Sequence, residues 1–202
     1  GCMYGVEPSR EKLQKLSRYK EAISAKFNKK LLLISGGSSI TLPLLERGDV
    51  PSNINHFRVG EAAFFGVSPF RNERFKELAT DTFEFVANII ELEEKKIVPD
   101  GIVGDANIGH TADYEEKDEN NTSVKAILDF GMLDVDRENI ETSDPELKFV
   151  GITSDMLVVD LGSNRTKEGK PRYKVGDSIK FTPNYMAVAR LLNSKFIDKR
   201  FV

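Results

Sequence analysis

Two short segments carry residue types that can hold an anion. In Gly36-Gly37-Ser38-Ser39, two glycines and two hydroxyls stand between the apolar run 29–35 and the segment 40–48, which ends on Gly48. Where a strand turns into a helix, the first backbone N–H groups point at an anion, and glycine lets a phosphate come close to the chain. Ser38 and Ser39 can add hydroxyl donors. The same residues also suit a tight turn capped by an ordinary serine, and spacing alone leaves both readings open. The segment has neither the G-K-[ST] of a P-loop nor the G-x-G-x-x-G of a dinucleotide fingerprint. The second segment is 55–66, Asn-His-Phe-Arg-Val-Gly-Glu-Ala-Ala-Phe-Phe-Gly. Its Arg58 falls near a strand end just before Gly60, either as a surface cation or as a side chain facing a ligand. Two successive glycine-bearing turns point to one shared anion site. His56 and His110 show no metal-ligand spacing and no third ligand nearby, so no metal is assigned.

The elements that must position these groups follow from pattern. Ser9, after Pro8, is a good N-cap with Glu11 in the first turn, and Leu13, Leu16, Ile23 and Phe27 recur at near-helical spacing through Lys29. The run 29–35 reads as a buried strand, 40–48 as a short helix, 54–60 as a strand and 61–66 as a helical turn. Strand, helix, strand, helix with short loops is the signature of parallel βα units. After residue 67 the character changes. Phe83, Phe85, Ala87 and Ile89 alternate, so 82–97 reads as one long strand, although the pattern also tolerates a helix. Segments 125–131, 148–152, 156–161, 172–181 and 186–192 are short, rich in β-branched or aromatic residues, and bounded by turn formers, which reads as antiparallel β. Residues 115–121 read as a solvated loop and 164–172 as a turn-rich one. The expectation is an α/β part over 1–67 and an all-β part over 68–202.

Composition bounds the rest. The chain has 202 residues, 40% hydrophobic and 30% charged, which excludes a disordered tail. Lys plus Arg is 29 against 32 Asp plus Glu, a formal net charge of −3, so there is no basic footprint for nucleic acid. No apolar run approaches the roughly 18–20 residues of a bilayer span, and no signal peptide opens the chain. Cys2 is the single cysteine. It excludes an intrachain disulfide and fits a reducing cytoplasm.

With these residues in view, the chain resembles the pyridoxal-phosphate-dependent alanine racemase family, and most closely its ornithine racemase and general amino-acid racemase branch. The segment 34–45 is similar to that branch's strand-turn-helix, and 55–66 looks like the family's R-P-G-x-x-x-Y-G stretch. Residues 149–161 are similar to its G-R-V-x-M-D-x-x-x-V-D segment, 173–181 to its v-G-D-x-V turn, and 183–191 to its I-N-Y-E segment. Order and approximate spacing hold from about residue 5 to 202. The resemblance implies late βα units of a pyridoxal-phosphate-binding (β/α)8 barrel, incomplete here, followed by the family's C-terminal antiparallel β domain. It implies that Ser39, flanked by Gly37 and Ser38, bonds the cofactor phosphate, that the Gly60 and Glu61 amides reach it, and that the Tyr185 hydroxyl closes the site. Arg58 matches the arginine facing the pyridine nitrogen; because arginine keeps its proton, the ring nitrogen stays unprotonated and plain α-proton exchange is favoured over transamination. Ser154 and Asp155 match the pair beside the substrate carboxylate, and family members assemble as homodimers.

The departures shape the functional expectation. The family's Schiff-base lysine lies on the first barrel strand, and the chain has no counterpart of that region. Lys29 and Lys30 sit at the wrong end of their strand. Met132 occupies the place of the family's catalytic tyrosine, while Asp134 keeps the family's aspartate. A thioether moves no proton at neutral pH, so Asp134, Asp155, Asp105 and His110 become the candidates for a second base. The chain thus reads as the C-terminal portion of an amino-acid racemase acting on a substrate such as alanine or ornithine, inactive without the lysine-bearing barrel half. The alternatives are a non-catalytic or regulatory pyridoxal-phosphate binder, or a β-domain assembly module. An incomplete barrel bares a parallel strand edge; the βα part is therefore expected to pair with another chain, to be covered by rearranged helices or to be partly disordered. The apolar opening 1–6 reads as a barrel strand.

Overall fold

The computed structural model describes residues 5–101 and 121–202. Asp105, His110 and the loop expected at 115–120 lie outside the described residues, as do residues 1–4; Gly5 and Val6 lie in no strand.

Helix α1 (Arg10–Phe27) starts where the sequence places it, with the Ser9 Oγ accepting from the Lys12 N–H at 3.3 Å, and it ends on Asn28 in the left-handed conformation. Two βα units follow. Strand β1 (Ser35–Ser38) passes through a 3-10 turn at Ser39–Thr41 into α2 (Leu42–Glu46), with Pro43 early in the helix where its missing N–H does no harm. Strand β2 (His56–Arg58) pairs parallel with β1 and leads into α3 (Glu61–Phe65), which Gly66 closes at φ 67°. Buried Leu13, Ile34, Leu44 and Ile54 form the core of this unit.

The run 29–35 is not the buried strand expected from its leucines. Leu32 and Leu33 are exposed, and the ladder begins only at Ser35. Over 32–34 the Asn55 side chain stands in for a neighbouring strand: its Oδ1 accepts from the Ile34 N–H and its Nδ2 donates to the Leu32 carbonyl, both at 2.9 Å.

The chain divides into two compact units between Thr82 and Phe83, not between residues 67 and 68 as expected. The intervening segment packs back on α3. Strands β3 (Val67–Ser68) and β4 (Glu73–Arg74) form a small hairpin, the Phe75 N–H donates to the Gly66 carbonyl at 2.8 Å, and the Thr82 hydroxyl donates to the Phe64 carbonyl. Gly66 is required there twice over, by its positive φ and because a Cβ would sit 2.1 Å from the Ala79 carbonyl oxygen.

The second unit is an antiparallel six-stranded sheet of β5 (Phe85–Lys96), β6 (Thr122–Leu128), β7 (Ile140–Thr142), β8 (Lys148–Ile152), β9 (Leu157–Asp160) and β10 (Ser178–Pro183), in the order β7-β10-β5-β6-β9-β8. Alternation in β5 and β10 sends Phe85, Ala87, Ile89, Ile179 and Phe181 inward. Phe130 meets Phe85 edge-on at 4.8 Å and Phe181 at 5.8 Å between ring centroids; truncating so buried an aromatic costs about 3–5 kcal/mol. Segment 186–192, expected as a strand, is instead helix α4 (Tyr185–Asn193), with Asn184 as N-cap accepting from the Ala187 N–H at 3.0 Å. Ala187, Val188 and Leu191 supply its buried face.

Candidate functional site

The two βα turns of the first unit are joined through one side chain. Ser39 leaves the end of β1, is 3% exposed, and turns its Oγ toward the start of α3, where it accepts from the Ala62 N–H at 3.1 Å and the Gly60 N–H at 3.4 Å. A hydroxyl has two acceptor sites and one donor. Both acceptor sites are taken, which leaves the hydroxyl proton as the remaining hydrogen-bonding capacity of Ser39. The neighbouring Thr41 is fully buried, and its Oγ1 has no hydrogen-bond partner.

The glycines divide their work. A Cβ on Gly36 would lie 2.2 Å from the Ile54 Cγ2, and one on Gly37 (φ 145°) 2.1 Å from the Thr41 Oγ1, so both let the two βα units close on each other. Around Gly60 the direction of an added Cβ is open space. Of the three, Gly60 is the one at which backbone is left approachable. Ser38 stands opposite Arg58 in the parallel ladder, and Arg58, itself exposed, donates from Nη1 to the Ser35 Oγ at 2.6 Å. That bond fixes the guanidinium across the strand pair. Glu61 opens α3, and burial raises its pKa above the usual carboxylate value. Lys29 and Lys30 are exposed beyond the end of α1, before the strand starts.

On the second unit, loop 131–136 is stitched to the turn between β8 and β9. The Met132 N–H donates to the Thr153 carbonyl and the Leu133 N–H to the Ser154 carbonyl, each at 2.9 Å. The fit is close: a Cβ on Gly131 would lie 2.3 Å from the Asp155 nitrogen. Met132, Asp134 and Asp155 are thus carried on neighbouring segments. Asp134 is engaged in holding the loop, accepting from the Gly131 N–H and the Ser194 hydroxyl, each at 3.3 Å. Asp155 is exposed and accepts from the Ser154 hydroxyl at 2.9 Å and the Thr153 hydroxyl at 3.4 Å. Tyr185 opens α4 and is half exposed.

Arg190 was not among the expected residues. It donates to the Met132 and Leu133 carbonyls and pairs with Asp136 at 2.6 Å. Its place four residues before Ser194 would mark both as one helix face, a signal hidden while 186–192 is read as a strand. Among the described residues, no group of three or more His, Cys, Asp or Glu residues could hold a metal, and no helix is long and apolar enough to cross a membrane.

A βα part with an Oγ-bridged pair of turns is thus followed along the chain by an antiparallel β domain. The chain is 32% identical over 201 residues to the ornithine racemase of Acetoanaerobium sticklandii and 31% identical over 199 residues to the lysine racemase of Thermotoga maritima. These matches take in 100% and 98% of this chain but 55% and 54% of the relatives, so the chain spans about half the length of the curated proteins it matches. In fold it is similar to alanine racemase from Bacillus anthracis with bound L-Ala-P, with a TM-score of 0.52 and 14% identity over 84% of this chain and 40% of that one. No family model matches the chain. In sequence the chain is thus similar to ornithine and lysine racemases over about half of their length, and in fold it is similar to an alanine racemase.

Proposed function

We propose that the chain is the C-terminal portion of a pyridoxal-phosphate-dependent amino-acid racemase acting on a substrate such as ornithine, lysine or alanine. The observation that carries this reading is the 32% identity to ornithine racemase along 201 residues. The features of the first unit fit a phosphate monoester. Ser39 has a hydroxyl proton to donate, Gly60 leaves backbone approachable, and the orphaned Thr41 Oγ1 adds an unsatisfied polar atom to the same turn. In this reading Gly37, Ser38, Ser39, Gly60 and Glu61 form the phosphate seat of the first unit. Arg58 holds the pyridine nitrogen unprotonated, since a guanidinium does not give up its proton. When bound, pyridoxal phosphate supplies the electron-withdrawing system that makes an amino acid's α-proton acidic.

Of the two candidate aspartates among the described residues, Asp155 fits better. Its carboxylate is exposed and bonded only to exposed hydroxyls, whereas Asp134 is spent on the loop. The lysine that would carry the cofactor comes, in this reading, from the half of the relatives that the chain does not match, so the chain alone does not turn over. The protein acts in the cytoplasm as a homodimer. Met132 favours a second reading, a pyridoxal-phosphate binder without turnover, because a thioether cannot exchange a proton.

The test is a binding titration of the chain with pyridoxal phosphate and with pyridoxal, which lacks the phosphate. A phosphate seat gives pyridoxal phosphate the tighter binding by about tenfold or more, the scale of charge-assisted hydrogen bonds. Equal affinity overturns the seat. Deuterium incorporation at Cα of ornithine by the chain alone overturns the claim that it lacks the catalytic lysine.

A further inference from the structure

The function proposed above leaves one half-buried cation unused. Arg137 follows the loop that carries Met132 and Asp134 and begins the 3-10 turn Arg137–Asn139. Its guanidinium lies over the Phe149 ring, 4.9 Å from the centroid. The Nε is buried and has no hydrogen-bond partner. Among the described residues no carboxylate stands within ion-pair distance of it, while the other arginine of this region, Arg190, is paired with Asp136. Taking a guanidinium partly out of water without a counterion is unfavourable. The stack on Phe149 recovers some of this and also holds the guanidinium plane in one orientation.

We infer that Arg137 is a carboxylate receptor on the β domain. A planar guanidinium held on a ring, with an Nε that lacks a partner, matches a carboxylate, which a guanidinium can take through two parallel N–H···O bonds. A compact ammonium or an aliphatic chain has nothing to satisfy there. The ligand class is a free carboxylic acid, and only its identification as the α-carboxylate of an amino acid rests on the racemase reading. The receptor belongs to the second unit alone and needs no phosphate seat.

The experiment uses the 202-residue chain without cofactor, following the Arg137 Nε–Hε resonance and the Phe149 and Ile140 amides by NMR. Acetate and norvaline are titrated at constant ionic strength against butylamine, which is norvaline without its carboxylate, and against chloride. The expected result is saturable shifts of these resonances with acetate and norvaline and none with butylamine or chloride. Arg137→Lys keeps the charge but loses the fork, and should weaken acetate binding about fivefold or more. No shift with either carboxylate overturns the receptor, and so do equal shifts with butylamine or chloride. Shifts with norvaline but not acetate overturn recognition of the carboxylate by itself. The wild-type arms decide the matter even if the variant fails to fold. Loss of pyridoxal phosphate binding with these shifts intact would sink the racemase reading and leave the receptor standing.

Discussion

Replacing Ser39 with alanine separates two consequences of one atom. The Oγ holds the buried Ala62 N–H at 3.1 Å and, less directly, the Gly60 N–H at 3.4 Å, so the variant strands one well-made donor at 0% exposure and one marginal one. Losing a helix N-terminal acceptor costs about 1–2 kcal/mol. With a urea slope of about 1–2 kcal/mol/M, the midpoint of the first unit should fall by about 1 M. Amide exchange at Ala62 should quicken in step, which places the loss at the turn. In the proposed seat the same atom carries the proton donated to the phosphate. In the wild type, pyridoxal phosphate at tenfold its dissociation constant should raise stability by about 1.4 kcal/mol, and in Ser39→Ala that protection should largely vanish. An unchanged midpoint and unchanged Ala62 exchange would refute the structural argument. A lowered midpoint with ligand protection intact would refute the phosphate assignment alone.

Asn184→Ala removes the α4 cap and its bond to the Asn139 side chain at 2.8 Å, and should cost about 1 kcal/mol by urea denaturation of the second unit. Arg172→Ala leaves Asp144, whose side chain is 11% exposed, with the Tyr173 hydroxyl and the Glu146 N–H but no cation, and should cost about 2–3 kcal/mol in the same assay. Burial, followed by the hydrogen bond to Asp144, holds the Tyr173 phenol above its ordinary pKa of 10.0. Since the folded-state pKa is the higher one, that contribution is present below the ordinary value and is lost as pH rises through the folded one. Unfolding followed from pH 9 upward should show this alkaline loss in the wild type and a smaller one in Tyr173→Phe. Asp134→Ala should cost about 1 kcal/mol through the loop, whereas Asp155→Asn should stay within about 0.5 kcal/mol; equal losses on thermal unfolding would contradict their different engagement.

Where the sequence was legible, local chemistry and tertiary structure agreed. Ser9 caps α1, Gly66 closes α3, and the alternation from Phe85 runs one long strand. The misreadings have physical causes. Four apolar residues at 31–34 look like a buried strand, but burial depends on what packs against them, and Asn55 supplies their hydrogen bonds without covering Leu32 and Leu33. A seven-residue segment such as 186–192, apolar except for Arg190, has no period that separates a helix from a strand; Asn184, placed to cap Ala187, was the signal available. The boundary at 67 was drawn at a change of composition, whereas the bonds from Phe75 and Thr82 carry the first unit on to Thr82. Ser39 and Asp134 were picked out as candidates by type, and Arg190 was missed. What each does was not visible, because the partners of Ser39, Asp134 and Arg190 lie 23, 60 and 58 residues away in the chain.

Those partners decide how the carboxylates of loop 131–136 and its neighbouring turn can be used. Three stand close to Met132, and a proton-transfer group must keep an oxygen free to meet its proton. Asp136 is bound to Arg190, the same side chain that holds the Met132 and Leu133 carbonyls, so moving it would loosen the loop. Asp134 bridges the Gly131 amide to Ser194 at the end of α4 and serves the same loop from its other side. Asp155 alone takes its hydrogen bonds from exposed hydroxyls that can turn away, and its backbone is pressed against Gly131, so its position is fixed while its carboxylate is not consumed. Of the three, two acids are tied down and the third stays accessible beside a thioether. The sequence pattern that keeps the aspartate at 134 therefore points to the residue that builds the loop, and within the proposed function Asp155 is the one of these three assigned to proton transfer.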